Sequence, residues 1–267
     1  MNAKEISLGD RMKSFYEDRS KTYFTRRTPL IVRVDGCHFK SFTSGLQKPF
    51  DIILQTAMHQ TALDLCKNIQ GCVFAYTESD EISLLIADYN TLQTDAWFDY
   101  SVQKVCSVSA SLATMYFNKH FAEGVKKHNA YESITIEDAE FAELLKRKVE
   151  KGAYFDARGF NIPEDEITNY FIWRQQDAKR NSVAAIAHKL YSQKEIQGLN
   201  SEQLKQMLNE RSHWDWDEEE PAHKWGICVV KSDAENNVRD KWVIDDNIPE
   251  FTEDRNYLEK YIKCIRQ

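Results

Sequence analysis

Apolar residues dominate a short stretch near the start of the chain, from Leu30 to Gly36. The stretch is partly β-branched, follows Thr28-Pro29 and stops at a glycine, which predicts a buried strand. Side-chain alternation places Arg33 and Asp35 on the same face of that strand. Because an unpaired buried carboxylate is costly, Asp35 at the strand end requires a partner. Gly36 would allow a ligand to approach the backbone closely.

A second patterned stretch, from Cys72 to Ile86, predicts two strands joined by a polar turn around Asp80 and Glu81. If this hairpin pairs beside the first strand, Asp35 and Asp80 converge. Two carboxylates, the free carbonyl of Gly36 and nearby basic residues would then form a site for Mg²⁺ and a triphosphate. Strand alternation points Glu81 away from Asp80, so a structural and a catalytic role both stay open for Glu81.

Helical periodicity accounts for the segments between these strands. Asp51 is placed to cap a helix that carries apolar residues at helical spacing, and a helix rich in small residues is predicted to begin near Thr94-Asp95. Strand-like alternation returns from Ala153 to Ile162. The order strand, helix, strand, strand, helix, strand predicts an α+β fold of the ferredoxin-like polymerase palm type, an antiparallel sheet with helices on one face.

The same order predicts how the chain divides. Residues 1–162 would form a palm-type catalytic core, interrupted at about 124–152 by a charged, mobile insertion that contains a surface helix. Residues 163–267 would supply helices and strands that pack on the palm. The first of these helices opens at Pro163-Glu164-Asp165-Glu166, whose acidic residues suit the positive end of a helix dipole.

Composition narrows the class of protein. The chain has 267 residues and a formal net charge of −7, which disfavours a general nucleic-acid coat protein but not a local basic surface. No apolar run is long enough for a membrane span, and the first residues lack a signal-peptide pattern. The six cysteines form no CxxC pair and lie scattered through core-like segments. These features predict reduced thiols and a cytoplasmic protein.

Four motifs, in this order, resemble those of the tRNA-His guanylyltransferase superfamily: Ile31-Val32-Arg33-Val34-Asp35-Gly36, Lys48-Pro49-Phe50-Asp51, Tyr76-Thr77-Glu78-Ser79-Asp80-Glu81 and Trp173-Arg174-Gln175-Gln176-Asp177. The resemblance extends from about Gly9 to Val230. It implies a 3′-to-5′ polymerase with a palm that activates a tRNA 5′-monophosphate with ATP or GTP. A nucleotide 3′-hydroxyl then displaces the activating group.

The resemblance also implies roles for individual residues. Asp35 and Asp80 would be the catalytic carboxylates that bind two Mg²⁺ ions, with the Gly36 carbonyl completing one coordination shell. Implied partners are tRNA, ATP, GTP and other nucleoside triphosphates, and the implied assembly is a homotetramer. The residues implied to bind nucleotide or triphosphate are Arg33, Lys48, Asp51, Ser79, Lys104 and Lys179.

One departure from the family pattern bears on the reaction. Where the eukaryotic enzymes carry a histidine-led motif, this chain reads Lys179-Arg180-Asn181-Ser182-Val183-Ala184-Ala185. That form resembles the bacterial and archaeal guanylyltransferase-like branch, which repairs 5′-truncated tRNA by templated addition. Glu78 also stands where glutamine is common. Three alternatives stay open: guanosine addition at position −1 of tRNA-His, a palm-type cyclase or signalling enzyme acting on free nucleotides, and a tRNA-binding protein without catalysis.

Overall fold

Six antiparallel strands form one sheet in the order β4-β1-β3-β2-β5-β6. The computed structural model describes residues 6–129, 136–232 and 241–263. The strands are β1 (Leu30–Gly36), β2 (Cys72–Glu78), β3 (Glu81–Ile86), β4 (Phe155–Asn161), β5 (Ile227–Lys231) and β6 (Trp242–Asp245).

Helices connect and cover these strands, so the predicted α+β class is confirmed. The longer helices are α3 (Ile52–Asn68), α4 (Val102–Asn129), α5 (Ile136–Lys151), α6 (Ile167–Leu190) and α8 (Ser201–Ser212). The shorter helices are α1 (Leu8–Met12), α2 (Phe39–Phe42), α7 (Gln193–Ile196), α9 (Pro221–Trp225) and α10 (Asn256–Lys263). None of the helices in the described ranges combines the length and the apolar character that a membrane crossing requires.

Helices α3 and α4 cover one face of the sheet. The alternate side chains of β1 that include Val32 and Val34 pack there with the apolar side of α3 and with Phe117 and Phe121 of α4. Helix α3 begins as the sequence predicts, because Asp51 Oδ1 accepts a hydrogen bond from the Leu54 amide at 2.9 Å. Burial of each of these large apolar side chains stabilises the fold by about 1.5–3 kcal/mol.

Helices α6 and α10 cover the opposite face. Ile31, Phe74 and Leu85 from the sheet pack against Phe171 of α6 and Leu258 of α10. The C-terminal residues therefore complete a second hydrophobic layer on the sheet. The sequence-based boundary at residue 162 coincides with the end of β4, and the division into two units stays a prediction.

Helix α4 differs from its sequence-based description at both ends. It begins at Val102 rather than near Thr94-Asp95, because a 3₁₀ turn at Trp97–Tyr100 contains left-handed residues that interrupt the helix. It continues through Gly124 to Asn129, so an insertion does not begin at Gly124. A Cβ atom at residue 124 would lie 2.8 Å from Ile53 Cγ2, which explains the glycine as a close contact between α3 and α4.

Helix α5 lies within the predicted insertion and is not purely a surface helix. Leu145 is fully buried, and Lys148 is only 7 % exposed. Lys148 Nζ donates a hydrogen bond to the Phe42 carbonyl, and burial lowers the pKa of the amine. Through this hydrogen bond, helix α5 stabilises the position of α2, which follows β1. Residues 130–135 of the predicted insertion lie outside the described residues.

Candidate active site

Pairing between β1 and β3 brings the two predicted carboxylates to one end of the sheet. Asp35 lies opposite Glu81 in the ladder, and Asp80 occupies the turn just before β3. The Gly36 amide donates to the Asp80 carbonyl at 3.1 Å, which holds the turn against the end of β1. Ser79 reverses the chain with a φ of 50°, and its hydroxyl donates to Asp80 Oδ1 at 3.0 Å.

The structure explains the glycine at position 36 differently from the sequence, which suggested close approach of a ligand. A Cβ atom at residue 36 would lie 2.2 Å from Phe39 Cδ2, so the Phe39 ring occupies the space beside the glycine. Phe39 begins α2 and is buried against Phe117 and Phe155, with ring centroids at 5.4 and 5.2 Å. The glycine thus permits a tight return of the chain immediately after Asp35.

Charge around the carboxylate pair is only partly compensated. Asp35 is 36 % exposed, and its Oδ2 lies 3.4 Å from Arg158 Nη2, which is also bound to Asp156 at 2.8 Å. Burial raises the pKa of Asp80, the neighbouring charge of Asp35 raises it further, and the Ser79 hydrogen bond lowers it. A bound cation would relieve this repulsion.

The oxygen atoms present suit magnesium. Mg²⁺ prefers carboxylate, carbonyl and water oxygens and is often bound by one or two carboxylates together with substrate phosphates. Within the described ranges, no group of three or more His, Cys, Asp or Glu side chains is placed to hold a metal ion. Asp35 and Asp80 therefore fit a magnesium site that is completed by backbone, water or substrate oxygens.

Glu81 belongs to a buried ion-pair network. Its Oε1 accepts from Arg174 Nε at 2.7 Å, and its Oε2 lies 3.8 Å from Arg33 Nε. Arg174 is 6 % exposed and also binds Asp177 Oδ2 at 2.9 Å. These contacts support the structural role for Glu81. Sequence reasoning placed Arg174 within a motif but assigned it no role, because its partner Glu81 lies 93 positions away in the chain.

Glu78 lies at the edge of the same network and is almost completely buried. Asn181 Nδ2 donates to Glu78 Oε1 at 3.4 Å, and Arg174 Nη2 lies 3.9 Å from the same oxygen. Burial raises the pKa of Glu78 to about 8, repulsion from Glu81 adds to the rise, and Arg174 opposes it. Glu78 is therefore largely protonated at neutral pH, and its neutral carboxyl resembles a glutamine amide in charge and shape.

We expect Glu78→Gln to stabilise the protein at alkaline pH. The carboxyl has an ordinary pKa of 4.5 and a folded-state value of about 8, so the folded state binds more protons between these values. Stability therefore falls as pH rises through this window and stays low above it. Thermal unfolding at pH 8.5 should show a Tm increase of about 5 °C or more for the variant.

At about pH 3.5 the same substitution should change the Tm little, because the folded and the unfolded carboxyl are then both mostly protonated. Glu143→Gln removes the same charge from an exposed position of α5 and serves as the control. Equal Tm changes for Glu78→Gln at the two pH values would contradict the prediction.

A cleft of about 740 Å³, including its open mouth, adjoins the acidic pair. It lies between the start of α3, the β2–β3 turn, α6 and α9. Ser79 contributes to its wall, so the cleft begins directly beside Asp80. The position suits a nucleoside attached to phosphates at the carboxylates. Other residues that line it include Phe50, Leu54, Met58, Glu78, Asn181 and His223.

The other predicted nucleotide contacts divide into near and distant residues. Arg33 lies on the same face of β1 as Asp35, and among the described residues its buried Nε has no hydrogen-bond partner. Asp51 lines the cleft, but its oxygens cap α3 and accept from the Gln47 amide at 3.1 Å. Lys48 is exposed in the segment before the cleft.

Lys104 and Lys179 lie away from the acidic pair. Thr114 of α4 accepts from the Phe155 amide, opposite Gly36, and Lys104 precedes it by about ten residues, hence about 15 Å along the helix. Lys179 Nζ lies 3.3 Å from Glu250 Oε1. It also lies over the rings of Trp216 and Trp225. Among the described residues, neither ammonium group forms an ion pair with Asp35 or Asp80, and the nucleotide contacts of the two lysines stay predictions.

Comparison with known proteins gives one consistent result. The sequence profile of the tRNAHis guanylyltransferase family matches residues 9–163, more than half of the chain. A bacterial tRNA(His) guanylyltransferase-like protein in complex with ATP is 36 % identical, with a TM-score of 0.79 over 96 % of this chain and 99 % of the other. Such a protein in complex with GTP is 35 % identical, with a TM-score of 0.71 over 96 % and 98 %.

A curated relative supports the same assignment. The probable tRNA(His) guanylyltransferase of Dictyostelium discoideum is 25 % identical over 76 % of this chain and 75 % of its own length. The predicted family is thereby confirmed. This chain belongs to the tRNAHis guanylyltransferase family and is a nucleotidyltransferase that resembles the family's bacterial guanylyltransferase-like members.

Proposed function

We propose that this protein adds nucleotides in the 3′-to-5′ direction to the 5′ end of tRNA, each chosen by pairing with the opposite strand, and so repairs 5′-truncated tRNA. The observation that carries the proposal is the convergence of Asp35 and Asp80 beside an open cleft at the β2–β3 turn. Strands β4-β1-β3-β2, with α3 and α4 on one face, would form the ferredoxin-like palm.

In this proposal Asp35 and Asp80 would hold two Mg²⁺ ions, and the Gly36 carbonyl would supply a further ligand. When bound, the ions would neutralise charge on the triphosphate and the leaving pyrophosphate. The Ser79 hydroxyl orients Asp80 Oδ1 for this role. The buried Arg33 Nε on the same face lies 3.8 Å from Glu81 Oε2 but makes no hydrogen bond within the described residues, which leaves this donor available to a phosphate oxygen.

Beyond metal binding and phosphate binding, the nucleotidyl transfer requires no further catalytic side chain in this proposal. The 5′-monophosphate of the tRNA attacks the α-phosphorus of ATP or GTP and releases pyrophosphate. The 3′-hydroxyl of the incoming nucleotide then attacks the activated 5′-phosphate and releases AMP or GMP. The complexes of relatives with ATP and with GTP support a nucleoside triphosphate substrate. Base choice would come from pairing in the acceptor stem, so side chains that recognise a particular base in the template are unnecessary.

The segment from Lys179 to Ala185 favours repair over guanosine addition to tRNA-His. It lacks the histidine-led motif of the eukaryotic enzymes, and the solved bacterial guanylyltransferase-like relatives cover nearly the whole chain. A cyclase acting on free nucleotides is disfavoured by the family assignment, which implies a tRNA substrate. The homotetramer, the cytoplasmic location and the nucleotide contacts of Lys48, Lys104 and Lys179 stay predictions.

A comparison of two tRNA substrates tests the proposed function. The first is a 5′-monophosphorylated tRNA that lacks its first nucleotide, with G at the opposing position; the second is full-length tRNA-His. With Mg²⁺, ATP and all four nucleoside triphosphates, we expect C to be added to the first substrate until the stem is complete. Sequencing of the 5′ ends measures the outcome.

A matched control changes only the template. When the opposing G is replaced by A, the added nucleotide should change from C to U, because pairing decides the choice. Preferential G addition to tRNA-His without C addition to the truncated substrate would restore the guanylyltransferase alternative. Formation of a cyclic product from GTP without tRNA would instead support the cyclase.

A further inference from the structure

Three aromatic rings form a continuous surface between β4 and α6, which we call the aromatic strip. Phe160 of β4 is 37 % exposed, and Trp173 of α6 is 49 % exposed. Buried Tyr170 joins them, because its ring centroid lies 5.7 Å from that of Phe160 and 5.9 Å from that of Trp173, edge to face in both cases. Two large rings thus remain open to solvent on the face of the sheet that α6 packs against.

Strand register places the aromatic strip beside the carboxylate pair. Phe160 lies opposite Ile31, and Asp156 lies opposite Asp35, so these alternate residues of β4 and β1 share one face. Phe160 follows Asp156 by four residues, which corresponds to about 13 Å along the strand. A nucleic acid held at Asp35 therefore reaches the strip without leaving this face of the sheet.

Arg158 lies on the same face, between the carboxylates and the strip. Its Nη2 lies 2.8 Å from Asp156 Oδ1 and 3.4 Å from Asp35 Oδ2. Among the described residues these carboxylates are its acidic partners, and both contact Nη2. The Nε and Nη1 donors of this half-exposed guanidinium are therefore available to a phosphate oxygen.

The indole of Trp173 is held in place on its inner side. The Arg174 guanidinium carbon lies 4.5 Å from the ring centre, and the Tyr170 ring packs edge to face with the indole. Tyr170 is fixed in turn by a hydrogen bond of 2.8 Å between its hydroxyl and that of Ser83. A ring that is fixed in this way loses little conformational entropy when a flat group packs on its exposed part.

Exposed rings next to a guanidinium suit unpaired nucleotides. Aromatic side chains stack on any base, because every base has a flat π-face, and arginine binds the phosphates between the bases. Such contacts tolerate any sequence, as the proposed function requires, since pairing there decides the added base. In a tRNA the 3′ strand continues past the 5′ end as a single strand, so unpaired bases lie beside the reacting 5′ end.

We infer that the aromatic strip, with Arg158 at its edge, binds the single-stranded 3′ end of the tRNA by stacking on its unpaired bases. The inference rests on the proposed function for the position of the 5′ end at Asp35 and Asp80. The carboxylates would then hold one strand of the acceptor stem, and the strip would hold the strand that carries the template.

Binding of two acceptor-stem RNA duplexes to the full-length protein tests the inference. Both carry a 5′-monophosphate and lack the first nucleotide of the 5′ strand. One has the single-stranded 3′ extension, and the other ends at the template nucleotide. With Mg²⁺ and without nucleoside triphosphates, the extension should strengthen binding about 10-fold to 100-fold, the range expected for base–aromatic stacking. Trp173→Ala should abolish this difference and leave the affinity for the shorter duplex unchanged.

Matched variants separate stacking from general effects. Trp173→Phe keeps an aromatic ring and should retain most of the difference, whereas Phe160→Ala, outside the buried ion-pair network, should reduce it. Arg158→Gln should lower the slope of log affinity against log salt for the extended duplex by about 0.7, the loss of one phosphate contact on a single strand. Trp242→Ala removes the same side chain as Trp173→Ala from β6, at the opposite edge of the sheet, and should match the unmodified protein.

Three results would overturn the inference. Equal losses for the two duplexes in Trp173→Ala would indicate a general structural effect, and an undiminished difference in both Trp173→Ala and Phe160→Ala would exclude the strip. A lower molar mass of Trp173→Ala in sedimentation equilibrium would show that the strip is an interface between copies of this chain. By contrast, a preference for the extended duplex that depends on Trp173, in a protein without templated addition, would refute the proposed function and support the strip.

Discussion

Asp35→Ala and Asp80→Ala should each reduce nucleotidyl transfer about a thousandfold or more while the protein stays folded. Each substitution removes a ligand from the predicted magnesium site, and loss of several kcal/mol of charge stabilisation in the transition state corresponds to such a factor. Stability should not fall, because Asp35 is partly exposed and Asp80 is held in a repulsive, desolvated position. Single-turnover rates with activated tRNA and thermal unfolding measure the two effects separately.

Asp156→Ala is the matched control for this experiment. Asp156 lies opposite Asp35 on the neighbouring strand and binds the same arginine, Arg158, so its removal changes the local charge equally. Since Asp156 is not a predicted metal ligand, its variant should retain activity within about tenfold. Near-normal transfer by Asp35→Ala or Asp80→Ala would remove that residue from the site, and equal losses in all three variants would indicate a general charge effect.

Arg174→Met should be the most destabilising of the single substitutions considered. The arginine is 6 % exposed and pairs with Glu81 and Asp177, so its removal leaves Glu81 buried without its closest cation. Breaking a buried pair in this way costs about 3–5 kcal/mol. For a domain of this size, that corresponds to a fall in Tm of roughly 6–20 °C.

Arg180→Met provides the comparison on the same helix. Arg180 binds the same Asp177 at 2.5 Å but is 54 % exposed, so its loss should change the free energy of unfolding by less than about 0.5 kcal/mol. The double variant Arg174→Met with Glu81→Gln should recover part of the lost stability, since it removes the uncompensated charge. Equal Tm changes for the two arginine variants would show that the buried network contributes little.

Local pattern was sufficient to predict the central part of the fold. The strand ending at Asp35, the hairpin around Asp80 and the capping of α3 by Asp51 each depend on residues within a few positions of one another. The start of α4 was not predictable in that way, because left-handed residues at Trp97–Tyr100 oppose a favourable helical composition. The burial of Lys148 likewise depends on its distant contact with Phe42.

In the candidate site, too, features set by local sequence were predictable, whereas contacts between distant segments were not. Convergence of Asp35 and Asp80 follows from strand pairing, which the pattern of the two strands already predicts. The contact of Arg174 with Glu81 and the stacked Phe50–His223 pair join segments far apart in the chain, and no periodicity signals them. Roles taken from motif position alone could not show that Lys104 lies about ten residues, hence about 15 Å along α4, from Thr114, which contacts the start of β4.

The attachment of the segment after β1 has a kinetic consequence. Cys37 donates its amide to the Tyr154 carbonyl, Phe42 is fastened by Lys148, and Asp51 binds both the Gln47 and the Leu54 amides. These contacts at its beginning, middle and end oppose a gating movement of the segment over the cleft. Nucleotide association should therefore be a single step whose observed rate rises linearly with concentration, and little ordering entropy should be lost on binding.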